Sequence, residues 1–177
     1  ALGIPLKDSA AVLAGVPHVQ GRVEVIPTPG KDYTILIDYA HTPDSMVNVL
    51  RTVKEFAKGR TVAVFGCGGD RDRTKRPLMG KAAADWSDFA VVTTDNPRTE
   101  QPEAIIEEIL PGFAGSATPY QVVVDRVEAI HWAMDHAQKE DVIVLCGKGH
   151  ETYQEINHKK YHMDEREIVA DYLKSGH

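Results

Sequence analysis

Cysteine is scarce in this sequence. Of 177 residues only Cys67 and Cys146 are cysteines, and each stands beside glycine at the end of an apolar run. That spacing builds no disulfide framework, so a reducing cytoplasm is the expected setting. Positive charge is not in excess either. Lys and Arg number 20 against 26 Asp and Glu, a net charge of -6, which excludes a broad basic face for nucleic acid. No apolar run approaches the roughly 20 residues that span a bilayer, and no charged-then-apolar signal segment opens the chain. Neither nucleic acid nor membrane is therefore expected as a partner. A Gly-x-x-x-x-Gly-Lys-Ser/Thr phosphate loop is missing, and Gly147-Lys148-Gly149-His150 resembles one only superficially. The chain also starts at Ala1 rather than Met and runs into a helix-like segment, Ser9 to Ala14, capped by Asp8 or Ser9. A piece of a longer protein is the expectation.

What is present is ordinary for a globular domain: 42% apolar and 26% charged residues, enough chain for one full domain with a core. Apolar runs of strand length fall at Thr34–Tyr39, Thr61–Phe65, Phe89–Thr94, Tyr120–Val124 and Val142–Cys146. They are apolar on consecutive positions, as in parallel strands buried on both faces. Helix-period segments lie between and after them: Met46, Val47, Leu50, Val53 and Ala57; Ile105, Ile109 and Leu110 after Pro102; Val127, Ile130, Met134 and Ala137; and Ile168, Val169, Tyr172 and Leu173. The alternation predicts a doubly wound α/β fold, with a mostly parallel sheet and helices on both faces. Arg22–Ile26 reads as a further strand, and Pro27-Thr28-Pro29-Gly30 as a turn or linker. The expected division is a leading segment over residues 1–30 and the α/β domain over residues 31–177.

In such a sheet, ligands bind beyond the carboxyl ends of the strands. Four of the five strands end in polar, charged or glycine-rich loops: Asp38–Ser45, Gly66–Arg73, Asp95–Arg98 and Gly147–Glu151. Gly66, Gly68 and Gly69 permit close backbone approach, and their N–H groups could face an anion; a tight turn without a ligand is the alternative. Arg71 stands where a dinucleotide fingerprint would need its third glycine. Taken alone, Asp95-Asn96-Pro97-Arg98 would more often be an Asx turn capping the next helix. With three further polar loops beside it, a pocket is expected. There Arg98 and Arg71 could fork carboxylates, while Asp95, Asn96 and Glu151 take an ammonium group. Two arginines and two acids suit a zwitterion with more than one carboxylate. His41, His150, Cys67 and Cys146 fit no compact zinc spacing, and neither cysteine suits a nucleophile pair. No metal ligand is expected in the chain.

Together these loops resemble the Mur ligase family. Asp38–Ser45 is similar to the segment that opens the third domain of Mur ligases and folylpolyglutamate synthases. Gly66–Asp72 followed by Lys75–Gly80, with Asp95–Arg98 and Gly147–Gln154, resembles the class that adds meso-diaminopimelate to UDP-N-acetylmuramoyl-L-alanyl-D-glutamate in peptidoglycan synthesis. The resemblance implies a Rossmann-like carboxy-terminal domain of an ATP- and Mg²⁺-dependent amide ligase, preceded by the tail of its ATP-binding domain over residues 1–30. ATP phosphorylates the terminal carboxylate of the UDP-sugar dipeptide, and the amine of the incoming amino acid attacks. Upstream domains of the same enzyme would hold ATP, Mg²⁺ and the UDP-sugar dipeptide. On this resemblance Arg71, Asn96, Arg98, Gly147 and Glu151 touch the amino acid, Asp95 and Pro97 shape the loop, and Arg22, Asp38 and His41 face the nucleotide. A folylpolyglutamate synthase-like domain and a free-standing amino-acid- or nucleotide-binding module are the alternatives.

Overall fold

A computed structural model describes residues 5–15 and 19–176. After helix α1 (Leu6–Ala14), the chain runs β1 (Glu24–Ile26), β2 (Thr34–Asp38), α2 (Pro43–Phe56), β3 (Thr61–Phe65), α3 (Lys75–Trp86), β4 (Phe89–Val92) and α4 (Pro102–Ile109). A 3₁₀ turn (Leu110–Phe113) leads into β5 (Tyr120–Val122), α5 (Arg126–Asp135), β6 (Val142–Cys146), the hairpin β7 (Tyr153–Ile156) and β8 (Lys159–His162), and α6 (Glu165–Lys174). Six strands form one sheet in the order β1-β2-β6-β3-β4-β5. All neighbours are parallel except β1, which pairs antiparallel with β2. The α/β, mostly parallel expectation holds.

The strands sort their side chains by parity, as pleating requires. Leu36, Ala63, Phe65, Ala90, Val92, Val144 and Cys146 face one layer, against Met46, Leu50 and Val53 of α2, Met79 and Ala83 of α3, and Ile105 and Ile109 of α4. Ile35, Ile37, Val62, Val64, Val91, Ile143 and Leu145 face the other, against Ala129, Ile130 and Met134 of α5 and Val169 and Tyr172 of α6. Burial on both faces is why these strands read as continuous apolar runs.

Helix α2 starts where its sequence says it should. Thr42 and Ser45 form a reciprocal capping box and Pro43 occupies the first turn, which supplies partners for otherwise orphaned backbone groups. Helix α3 has no periodic apolar stripe. Its buried face is Gly80, Ala82, Ala83 and Ala84 beside Arg76 and Met79, small residues that give no amphipathic signal.

Three differences from expectation stand out. Strand β1 belongs to the main sheet, and Ile26 lies in its core, so the sheet begins ahead of the boundary expected near residue 30. The strand expected to run to Thr94 stops at Val92, which frees Thr93 to Arg98 as a long strand-end loop. The β7–β8 hairpin was not foreseen. Its turn residues Asn157 and His158 both take positive φ, 47° and 62°, without the Asn-Gly pair that usually marks such a turn.

Candidate functional site

The loops after β2, β3, β4 and β6 close around one cavity of about 230 Å³. Its walls include Tyr39, His41, Gly68, Arg71, Lys75, Asp95, Asn96, Arg98, Gly147 and Glu151. Six of the seven residues expected to touch or shape an amino-acid pocket thus meet at one place. Pro97 does not line this cavity; it holds the turn, its carbonyl accepting from the Glu100 amide at 3.0 Å.

Arg98 sits at the joint of three elements. Its backbone has φ of 52°, unusual for a residue with a Cβ. Hydrogen bonds on both sides hold it there: the Arg98 N–H donates to the Glu155 carbonyl at 3.0 Å, and the Asn157 N–H donates to the Arg98 carbonyl at 2.8 Å. Its guanidinium donates from Nε to Glu155 Oε2 at 3.1 Å and from Nη1 to the Gly69 carbonyl at 2.9 Å. Nη2 makes no hydrogen bond among the described residues, and Arg98 is part of the cavity wall. Arg71 is exposed at the rim and donates to the Asp70 carbonyl.

The floor of the cavity is a buried ionic cluster. The Lys148 ammonium is wholly buried and lies 3.0 Å from Asn96 Oδ1, 3.1 Å from Glu151 Oε2 and 3.5 Å from Asp95 Oδ1. Asn96 is held from both sides: its Oδ1 also accepts from the Glu155 amide and its Nδ2 donates to Glu151 Oε2. Glu151 Oε1 makes no such bond among the described residues. A buried ammonium between two carboxylates and an amide oxygen fixes where those groups point, since each would be costly to leave unpaired. Two glycines make this approach possible. A Cβ on Gly69 would lie 1.9 Å from the Pro97 carbonyl oxygen, and Gly147 has φ of 115°, a region essentially closed to other residues.

The residues expected to face a nucleotide separate into two groups. Arg22 lies over the Tyr39 ring, 5.0 Å from its centroid, and the His41 and His150 rings sit 4.6 and 5.1 Å from it. This makes an aromatic, cation-bearing patch beside the cavity. Asp38 instead spends both oxygens on backbone amides, of Val23 and Ala40, each at 2.8 Å, and is buried. Its structural work is to pin β1 and the loop after β2.

Tyr39, Lys75, Lys148 and Gln154 lie within the loops and motifs the sequence marks without being assigned a site role there, and Glu155 falls outside them. A lysine between two glycines after a fully buried strand was the available signal for Lys148. Nothing local marked Glu155. Behind the site, fully buried Arg126 bonds Glu165 and the Cys146 carbonyl, tying α5 to α6, and Arg76 bonds Glu100 and Glu108, tying α3 to α4 and the loop before it. Burial pushes the Cys67 thiol up to about 12, which keeps it protonated and unreactive beside the cavity. No group of three or more His, Cys, Asp or Glu residues among those described is arranged to hold a metal ion. No helix among them is long and apolar enough to cross a membrane.

Fold and site together define a doubly wound α/β domain with a charge-lined cavity at its strand ends. The chain belongs to the Mur ligase family: residues 21–149 match the family described as "Mur ligase, glutamate ligase domain". It is 51% identical over 97% of its length to UDP-N-acetylmuramoyl-L-alanyl-D-glutamate--2,6-diaminopimelate ligase of Caldanaerobacter subterraneus subsp. tengcongensis, and 49% identical over 97% to the ligase of the same name from Clostridium botulinum. It spans 35% of the length of each. A solved structure of a ligase of that name superposes with a TM-score of 0.81 at 40% identity, covering 98% of this chain and 35% of that one. UDP-N-acetylmuramate-alanine ligase from Thermotoga maritima has the same fold, with a TM-score of 0.67 at 20% identity over 98% of this chain and 34% of its own. A bifunctional folylpolyglutamate synthase/dihydrofolate synthase from Yersinia pestis is a more distant neighbour in fold, with a TM-score of 0.59 at 19% identity over 98% of this chain and 35% of its own.

Proposed function

We propose that this chain is the carboxy-terminal, acceptor-binding portion of an ATP-dependent ligase that adds meso-diaminopimelate to UDP-N-acetylmuramoyl-L-alanyl-D-glutamate. In this reading residues 31–177 are the amino-acid-binding ligase domain, joined by β1 at its edge, and the preceding segment leads from the ATP-binding domain. The observation that carries the proposal is the charge layout of the cavity. Arg98 Nη2 and Arg71 offer cations at one side, and Glu151 and Asp95 offer carboxylates at the floor. An amino acid with a second zwitterionic end needs both signs; L-lysine, whose distal end is an ammonium alone, gives Arg98 no partner.

The chain's contribution to catalysis is then positioning. A preformed pocket holds the acceptor so that its attacking amine meets the activated carboxylate as an effectively intramolecular partner. ATP supplies that activation. Arg22, His41 and the Tyr39 ring form a cationic, aromatic patch that suits contact with a nucleotide, and Asp38 orders the loop that carries two of them. Mg²⁺ is assigned to the upstream part of the enzyme.

The direct test is a ligation assay of the full-length protein with meso-diaminopimelate against L-lysine. A strong preference for diaminopimelate is expected. Arg98→Ala should raise its KM by the equivalent of about 2–5 kcal/mol, the loss of a charge-assisted pair. Equal KM values in variant and parent would remove Arg98 from the pocket.

A further inference from the structure

Arg98 is not presented to the cavity alone. The hairpin strand β7 reaches the Asp95–Arg98 loop through Glu155 at three points: its N–H on Asn96 Oδ1 at 2.8 Å, its carbonyl on the Arg98 N–H at 3.0 Å, and its carboxylate on Arg98 Nε at 3.1 Å. The pair is sheltered, with 17% of the Arg98 side chain and 24% of the Glu155 side chain exposed. Nε goes to Glu155 and Nη1 to the Gly69 carbonyl. Each bidentate edge of the guanidinium has therefore lost one of its two nitrogens, and a ligand carboxylate meets Nη2 with the Glu155 carboxylate beside it.

We propose that Glu155 sets the specificity of this pocket, acting through Arg98 as a positioning residue and as a competing negative charge. The proposal rests on the reading that the cavity takes a diaminopimelate-like acceptor. Glu155 keeps Arg98 aimed at the cavity before any ligand arrives, which spares ordering on binding. It also screens the guanidinium, so a distal carboxylate is bound less tightly than a bare arginine would bind it, and a distal ammonium is repelled less.

The two effects separate in Glu155→Gln. Glutamine keeps an oxygen acceptor for Nε and the same length, and removes the charge. In the full-length enzyme, the KM for meso-diaminopimelate should fall about three-fold and the KM for L-lysine should rise about three-fold, the scale of a partly exposed charge contact. The kcat with diaminopimelate should move less than about two-fold, because Glu155 does not line the cavity and acts only through Arg98. Opposite shifts of the two KM values are the signature, since structural damage raises both. Unchanged KM values, or a rise in both in a variant whose melting temperature matches the parent, would overturn the role of Glu155 and leave the pocket reading intact. A parent enzyme that does not discriminate between the two amines would instead overturn the pocket reading, and this inference with it.

Discussion

The Lys148 ammonium and the Asn96 side-chain oxygen lie 3.0 Å apart, both buried, and this contact joins the loop after β6 to the loop after β4. Everything on the cavity floor is oriented from it. Lys148→Met should leave Asp95 and Glu151 facing each other's charge without a counterion. Removing one partner of a buried pair costs about 3–5 kcal/mol. Urea unfolding of the chain checks this; a loss below about 1 kcal/mol would mean that water or a relaxed loop already serves those carboxylates.

Gly69 is a second single point of failure. Its Cβ, were there one, would sit 1.9 Å from the Pro97 carbonyl oxygen, which belongs to rigid backbone. Gly69→Ala should force the loops after β3 and β4 apart and cost more than about 2 kcal/mol. The same displacement should weaken acceptor binding, since the Gly69 carbonyl anchors Arg98. A variant with parental stability and KM would mean the loop yields without cost.

Glu100 predicts an acid limb of stability. Hydrogen bonding to Arg76 holds its carboxyl at about 2, well below the usual 4.5. A folded-state value below the unfolded one contributes stability that is present above about 4.5 and is lost as pH falls toward 2. Glu100→Gln should therefore be less stable than the parent at neutral pH, with the gap closing across that window. Thermal melts at pH 7, 4 and 2.5 check the sign; a gap that stays constant with pH would exclude Glu100 as its source.

The two cysteines should be silent in the folded protein. Both are buried, and burial raises both thiols far above neutral pH, Cys67 to about 12. A thiol-reactive disulfide reagent at pH 8 should label neither in native protein and both in urea. Rapid native labelling of Cys67 would show that the loop after β3 opens readily.

Much of this was legible in the sequence because burial on both faces writes strands as apolar runs, and because polar loops at their ends are conspicuous. Arg71, Asp95, Asn96, Arg98 and Glu151 stand out in those loops, Gly147 follows from the family resemblance, and all six line one cavity. Helix α3 was illegible because its packed face is alanine and glycine. The β7–β8 hairpin was illegible because β8 is exposed throughout, so it carries no hydrophobic alternation. With the hairpin went Glu155 and Gln154, which reach the site only through tertiary contact across more than fifty residues of chain. Asp38, which the family resemblance sets facing the nucleotide, has a part that only the folded chain displays: both its oxygens accept from backbone amides, of Val23 and Ala40.

The unusual backbone of Arg98 also bears on how such a pocket can change over evolutionary time. One residue there is the proposed ligand contact, and it is also the bridge to the hairpin and the partner to the Gly69 carbonyl. Replacing it to admit a different acceptor strands Glu155 and disturbs two neighbouring loops at the same stroke. A shift of acceptor preference in this domain is therefore a concerted event, with substitutions in β7 and in the loop after β3 accompanying any at position 98.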